Sequence, residues 1–457
     1  MRISVIGTGY VGLVSGVCLA EKGHQVICVD IDKEKVAKIN QGVSPIYEKG
    51  LGELLKKNIG EKLTATTNLS SAIQQTEISL IAVGTPFDGE EIDLTFIKSV
   101  SQQIGKVLSD KDDYHVVVVK STVVPGTTDD VVLPILEESS GKKAGVDFGV
   151  GMNPEFLREG EAVADFMLPD RIIMGATDKK SLALLEDLYL PFENVDKLRT
   201  NNRTAEMVKY TSNSLLATMI SFSNEIANLC SAIGGIDIAD VMEGVHLDKR
   251  LSPILPAGER IFPAFTTYIE AGCGFGGSCF PKDVKALIAH GKQAGMPMQL
   301  LEAVIQINQE QPKQVLGLLK RHFPSLKGVR IAILGLAFKP GTDDIRESPA
   351  IRILKDLLAE RSHIKAFDPV AKLEARKLFG DEEVVFTDDL DETIDDVDAI
   401  VILTRWKEFD IIPKLLSQFD RQPLVVDGRR MLEKLSVAKY EGIGLRQIES
   451  NTQVGKG

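Results

Sequence analysis

Apolar and polar positions along this chain fall into two rhythms. Through roughly the first 195 residues, short β-branched runs at 3–6, 26–29, 78–83, 116–119 and 148–151 alternate with stretches of helical period such as 33–40 and 97–108. Short apolar runs bounded by turn formers read as buried strands. Their alternation with helices predicts a mainly parallel sheet covered on both faces. From about Arg203 the rhythm changes: Met207, Tyr210, Leu215, Met219, Phe222, Ile226 and Leu229 recur at three- to four-residue steps, predicting one long amphipathic helix. This helical middle is interrupted by a Pro/Gly-rich stretch at 252–277. After a Pro, Ser and Gly cluster at 323–328, a second strand–helix series follows, with apolar runs at 329–334, 365–368, 399–403 and 424–427. The predicted fold class is α/β. Two Rossmann-like parallel-sheet domains, 1–200 and 321–457, are joined by a long-helix central domain, 201–320. A chain of 457 residues fits about three domains.

Composition narrows the class. With 44% hydrophobic and 26% charged residues the chain reads as a soluble globular protein, and no apolar run reaches the ~18 residues of a membrane span. The net charge of −12 argues against nucleic-acid and anionic-membrane partners. Ten Asp/Glu and no Lys or Arg fall within 381–398, leaving −2 for the rest, so acidity excludes no phosphate-bearing substrate. The glycine-rich start lacks a convincing signal-peptide cleavage site, and five scattered cysteines form no disulfide framework. A cytoplasmic location is expected. All six histidines are isolated and no CxxC occurs, so no metal site is expected.

Candidate chemistry begins at Gly7-Thr8-Gly9-Tyr10-Val11-Gly12, placed between the first strand and a helix. Glycines at this spacing let the backbone turn sharply and approach a pyrophosphate seated on the helix N-terminus. Asp30 ends the second strand, where a carboxylate holds ribose hydroxyls and repels a 2′-phosphate, so NAD is favoured over NADP. The matching turn of the second series keeps only Gly335. Its Lys339 and Arg346 read equally as phosphate-pairing cations or as part of a surface loop.

The segment 272–283, GCGFGGSCFPKD, concentrates glycine around Cys279. So much glycine is entropically costly and suggests close backbone approach to a ligand. Asp283 is expected to open a helix through 284–290, and a thiol near a helix N-terminus with Lys282 close by suits a nucleophile. The segment also reads as a structural cysteine or a Cys273–Cys279 redox pair, although a reducing compartment disfavours the pair. Cys18, Cys28 and Cys230 read as core. Lys209 and Asn213 share a face of the long helix with Glu206 one turn earlier. Glu155 and Glu159 follow a predicted strand end, where open α/β sheets bind ligands.

Taken in order, GTGYVG (7–12), AVGTP (82–86), KSTV (120–123), NPEFLREG (153–160), PDR (169–171), the Lys209/Asn213 helix, GFGGSCFPKD (274–283) and FKPGTDDIRESPA (338–350) resemble the UDP-glucose/GDP-mannose dehydrogenase family, and within it the UDP-glucose 6-dehydrogenases. The UDP-N-acetylmannosamine branch carries a GHC-type loop, so Ser278 argues against it. The resemblance implies oxidation of a sugar C6 alcohol to a carboxylate in two NAD-dependent steps, UDP-glucose giving UDP-glucuronate. It implies that Cys279 traps the aldehyde as a thiohemiacetal that becomes a thioester. Lys209 would neutralise the oxyanion with Asn213 as its partner. Glu155 would be the base for hydrolysis, and Thr122 and Asp283 would position the water. The base for the first step stays open.

The same resemblance implies NAD contacts from Gly7, Gly9, Tyr10, Val11, Gly12, Asp30, Lys35, Thr85, Thr122, Glu159, Lys282 and Arg346. For the nucleotide sugar it implies Glu155, Phe156, Leu157, Arg158, Glu159, Lys209, Asn213, Arg250, Tyr268, Ile269, Glu270, Ala271, Gly272, Gly276 and Lys339. It further implies UDP in the C-terminal domain and a homodimer through the central helix, with an arginine reaching the partner's site. One departure stands out: about a dozen residues, 252 to about 265, look inserted between the LDKR segment (247–250) and the cysteine loop. Arg250 and Arg260 both remain candidates for that arginine, and the substrate stays open between UDP-glucose and GDP-mannose. A two-electron 6-phosphogluconate-type dehydrogenase and a non-catalytic NAD sensor are the more distant alternatives.

Overall fold

Strand and helix alternate in the computed structural model as the apolar runs require, and residues 1–380 and 383–446 are described. Asp381 and Glu382 of the acidic run, and the end of the predicted 321–457 domain from residue 447, lie outside the described residues. The chain packs as two compact units: residues 1–212 with 289–296, and residues 213–288 with 297–457. The boundary falls inside the single helix Asn202–Ile233, so the helical middle is divided between them.

The first unit holds β1 (Arg2–Ile6), β2 (Gln25–Val29), β3 (Leu63–Thr66), β4 (Ile78–Ile81), β5 (Val116–Val119), β6 (Gly149–Met152), β7 (Arg171–Ala176) and β8 (Asp196–Thr200). They form one sheet in the order β3-β2-β1-β4-β5-β6-β7-β8, parallel except for the β6–β7 pair. The first six strands follow the 3-2-1-4-5-6 order of dinucleotide folds. β1, β4 and β5 are almost wholly buried, because helices cover both faces. The run at 78–83 is shorter than expected: Ala82 and Val83 leave the sheet at its ligand-binding edge. The run at 148–151 shifts by one residue. β3 and β8 carry too weak an apolar signal to predict, and β8 (DKLRT) is an exposed edge, whereas sequence reasoning missed β7 (RIIMGA) although its apolar run is buried.

The second unit holds β9 (Arg330–Leu334), β10 (His363–Phe367), β11 (Val384–Phe386), β12 (Ala399–Ile402), β13 (Leu424–Asp427) and β14 (Tyr440–Gly442). All are parallel, in the order β11-β10-β9-β12-β13-β14, which repeats 3-2-1-4-5-6. Two Rossmann-like sheets and long helices are therefore present, as the sequence pattern implies. No helix among the described residues is long and apolar enough to cross a membrane. No group of His, Cys, Asp and Glu among them is arranged to hold a metal ion.

A polar ladder is buried beneath the first sheet. Ser79 Oγ donates to His115 Nε2 at 2.7 Å, and His115 Nδ1 donates to the Thr76 carbonyl at 3.0 Å, which fixes the neutral tautomer. Burial, helped by the Lys111 charge, pushes His115 from its ordinary 6.5 down to about 3. Between those values the unfolded chain takes up a proton that the native state refuses, so stability falls as pH falls through 6.5. At pH 5 the loss amounts to about 2 kcal/mol. Urea unfolding at pH 7.5 and pH 5.0 should show His115→Gln losing less stability over that interval than the parent, by about that amount.

Candidate active site

The dinucleotide turn closes by steric necessity. Gly7 leaves β1 at φ +93°, and a Cβ on Gly12 would lie 1.8 Å from the Gly7 carbonyl oxygen, so the helix Tyr10–Glu21 can start against β1 only with glycine there. At Gly9 a Cβ would meet nothing within 4 Å, which leaves the helix N-terminus open on that side. No acidic residue lies in its first turn. An open, uncapped N-terminus with a carboxylate at the end of β2 fits a dinucleotide.

Asp30 accepts the Thr8 N–H (2.8 Å), the Thr8 hydroxyl (2.6 Å) and the Asp32 N–H (3.0 Å). Burial opposes its ionisation, but these donors and the Lys35 charge hold it below the usual carboxylate range. Thr85 and Thr122 also meet, the Thr85 hydroxyl donating to the Thr122 carbonyl at 2.8 Å. The Tyr10 hydroxyl donates to Glu48, whose carboxylate also takes the Gly160 N–H (2.7 Å) and Ala162 N–H (2.9 Å). Glu48 thus ties the glycine turn to the end of the 153–160 loop. Sequence reasoning missed it, because one glutamate in a polar loop gives no signal.

In the same unit Glu155 and Lys209 form a buried ion pair at 2.9 Å, their side chains 6% and 5% exposed. The second Glu155 oxygen accepts the Leu157 N–H at 2.6 Å. Burial raises the Glu155 pKa, yet Lys209, the Leu157 N–H and Lys120 bring it below its ordinary value overall. Lys209 also lies over the Phe156 ring at 5.3 Å, and Arg171 stacks on the same ring at 4.0 Å. Arg158 is exposed and pairs with Glu161 and Asp165. Glu206, expected on the Lys209 face, instead accepts the Gly126 and Thr128 N–H groups and the Thr128 hydroxyl.

In the second unit the helix Phe280–Gln293 begins three residues before the expected Asp283. The Cys279 carbonyl accepts the Asp283 N–H at 2.8 Å, so the exposed thiol sits at the helix N-terminus, where the dipole favours thiolate. Asp283 is buried and takes both Lys282 (2.5 Å) and the Asn213 amide (2.6 Å). Asn213 donates its amide to Asp283, and the Lys282 ammonium pairs with the same carboxylate. Cys273 is fully buried and Cys279 exposed, and neither is in a disulfide.

Polar side chains hold the glycine-rich loop by its backbone. Asn224 accepts the Gly272 N–H, and Gln311 donates to the Gly272 carbonyl. Asn308 takes the Phe275 N–H at 2.8 Å and donates to the Phe275 carbonyl at 3.0 Å. From the sheet edge, the Gly428 carbonyl accepts the Cys273 N–H and Arg429 donates to the Gly274 carbonyl. A Cβ on Gly276 would lie 2.4 Å from the Glu347 carbonyl oxygen, which accounts for glycine there. Asn224, Asn308 and Gln311 were missed from sequence, where an amide on a helix face is their only signal.

The remaining candidates are spread through the second unit. Ile269 and Ala271 turn into its core and Glu270 pairs with Arg405. Tyr268 ends a short 3₁₀ helix and lies 6.3 Å from the Phe280 ring. Lys339 lies over Phe338, and Arg346 is exposed and bonded to Asp344. Arg260 donates to the Leu247 and Ser252 carbonyls, whereas the Arg250 side chain is 84% exposed and pairs with Asp248. The 252–265 stretch folds back on itself through an Ile254–Arg260 bridge.

The second dinucleotide-like turn is filled from within. Asp368, the counterpart of Asp30, is 2% exposed and accepts four backbone N–H groups, from Leu336, Ala337, Val370 and Ala371, plus the Trp406 indole. No acceptor is left there for a ribose.

Three family models match in chain order. They are the NAD binding domain (residues 1–193), the central domain (203–310) and the UDP binding domain (332–434) of the UDP-glucose/GDP-mannose dehydrogenase family. The chain is 43% identical to UDP-glucose 6-dehydrogenase TuaD of Bacillus subtilis, over 96% of this chain and 92% of that protein. It is 40% identical to GDP-mannose 6-dehydrogenase of Pseudomonas syringae pv. syringae, over 90% and 92%. A solved UDP-glucose dehydrogenase from Pyrobaculum islandicum superposes with a TM-score of 0.87 at 38% identity, covering 97% of each chain.

Asn308→Ala strips two backbone partners from the buried Phe275, a cost of about 2–3 kcal/mol. Chemical denaturation should read that loss, and the rate of Cys279 alkylation should change with it as the loop loosens.

Proposed function

Because the chain belongs to the UDP-glucose/GDP-mannose dehydrogenase family, we propose that it oxidises the C6 alcohol of UDP-glucose to the carboxylate of UDP-glucuronate, with NAD as oxidant. The observation that carries this reading is an exposed Cys279, in no disulfide, at a helix N-terminus in a chain that also buries a Lys209–Glu155 pair. Gly7, Gly9 and Gly12 would admit the pyrophosphate of NAD, Asp30 with Lys35 would receive its adenosine ribose, and the bound cofactor would supply the hydride acceptor, two per sugar.

The residues divide the work by charge. Loss of the first hydride and the hydroxyl proton leaves a C6 aldehyde. The Cys279 thiolate adds to that carbon, and Lys209 neutralises the oxyanion of the thiohemiacetal. Loss of the second hydride leaves a thioester. Glu155 takes a proton from water, the hydroxide adds to the thioester carbon, and the carbon–sulfur bond breaks to return the thiolate. Thr122 and Asp283 orient that water, and Asn213 holds Asp283. The nucleotide is assigned to the second parallel-sheet domain, with Lys339 toward its phosphates.

Two chains pair through the long helix in this reading. Support comes from Leu215, Phe222 and Leu229, which lie seven residues apart on it and are 53%, 51% and 54% exposed. Arg250 is the better candidate for the cross-subunit arginine, since Arg260 is committed to its own loop.

UDP-glucose should yield two NADH per molecule, and Cys279→Ser should bind the sugar nucleotide yet stall before uronate release. One NADH per sugar refutes the thioester route, and turnover of GDP-mannose in place of UDP-glucose overturns the substrate. Phe222→Glu should convert a dimer to monomer in sedimentation; an unchanged mass would remove the long helix from the interface.

A further inference from the structure

Lys120 is an unusual lysine. It follows β5, where its N–H bonds the Ile81 carbonyl, and its residue is only 3% exposed. Its ammonium has no carboxylate within salt-bridge distance among the described residues. It donates instead to Asn153 Oδ1 at 2.8 Å and, at the limit of reach, to the Asn153 carbonyl at 3.5 Å. The Phe166 ring lies 5.8 Å away. Asn153 is held from two further elements: the Tyr189 hydroxyl donates to its Oδ1, and its Nδ2 donates to the Ile173 carbonyl of β7 at 2.8 Å. Two residues on, the chain presents Glu155.

Burying an ammonium without a contact counter-ion is expensive, and hydrogen bonding alone is served as well by a neutral amide. The charge therefore calls for an explanation. Lys209 and Lys120 both favour the charged form of Glu155, and Glu155 in turn favours the ammonium of Lys120 while Lys209 opposes it.

We propose that Lys120 is a positioning residue for the reaction, fixing Asn153 at the root of the 153–160 loop and supplying the second positive charge that keeps Glu155 a carboxylate. The proposal rests on the reading of Glu155 as the base for thioester hydrolysis. Burial lowers Lys120 to about 8, with Glu155 acting against that fall, so the lysine still carries its proton at neutral pH. Removing that charge raises the Glu155 pKa, because the carboxylate loses an attractive partner while its burial is unchanged.

The test is the pH profile of NADH production from UDP-glucose in full-length Lys120→Met, Lys120→Gln and Lys120→Arg, with NAD affinity measured as a control on folding. In both neutral variants the acid limb of kcat should move up by about one pH unit. Lys120→Arg should leave the limb in place even if kcat falls. Should Lys120→Met fail to fold, Lys120→Gln, which keeps an amide for Asn153, carries the same expectation. Neutral variants that lower kcat without moving the acid limb overturn the proposal. Glu155→Gln that keeps both hydrolysis and the acid limb defeats the reading of Glu155, a result independent of the Lys120 series.

Discussion

The structure depends most on keeping one carboxylate ionised where water does not reach it. Glu155 sits at the carboxyl edge of the first sheet with its side chain 6% exposed, a position where an isolated carboxylate would protonate. Lys209 bonds it from the long helix, and the Leu157 N–H bonds its other oxygen. Removing one partner of a buried pair typically costs about 3–5 kcal/mol, so the pair also fastens that helix to the 153–160 loop. The catalytic proposal and the packing of the first unit thus rest on the same contact.

The two parallel sheets show how little a shared topology decides. Both run 3-2-1-4-5-6 and both place an aspartate after the second strand. In the first, Gly9 leaves room before the helix N-terminus and Asp30 stays partly accessible. In the second, Leu336 and Ala337 bring their N–H groups onto Asp368, and the Trp406 indole closes over it. The aspartate stands partly open in one turn and is spent on backbone N–H groups and an indole in the other, although the strand order is identical.

The cysteine loop illustrates a different economy. Glycine is required at Gly276 because Glu347 passes close by, and flexible backbone of this kind does not hold itself in place. Amides from two helices, Asn224, Asn308 and Gln311, do so, with Arg429 from the sheet edge. Cys279 can therefore stand exposed at a helix N-terminus on a loop whose backbone is bonded at Gly272, Cys273, Gly274 and Phe275.

Much of this was legible in the linear chain. Apolar runs marked β1, β2, β4 and β5, the turn at Gly7–Gly12 announced a dinucleotide site, and the glycines around Cys279 marked a loop closely approached by other backbone, because each is a local constraint written within a dozen residues. What the chain did not reveal depends on distant partners. Strand β8 forms at an exposed edge where polar residues are tolerated, so its alternation carries no period. Glu48, Asn308 and Asp368 look like ordinary polar residues until folding brings backbone N–H groups to them. The sequence by itself determined which residue types bear the chemistry and where the backbone must turn. Only the tertiary structure decided that Asn213 bonds Asp283, and that Lys120 is buried and bonded to Asn153. Such choices are made by burial, and burial is a property of the whole packed unit.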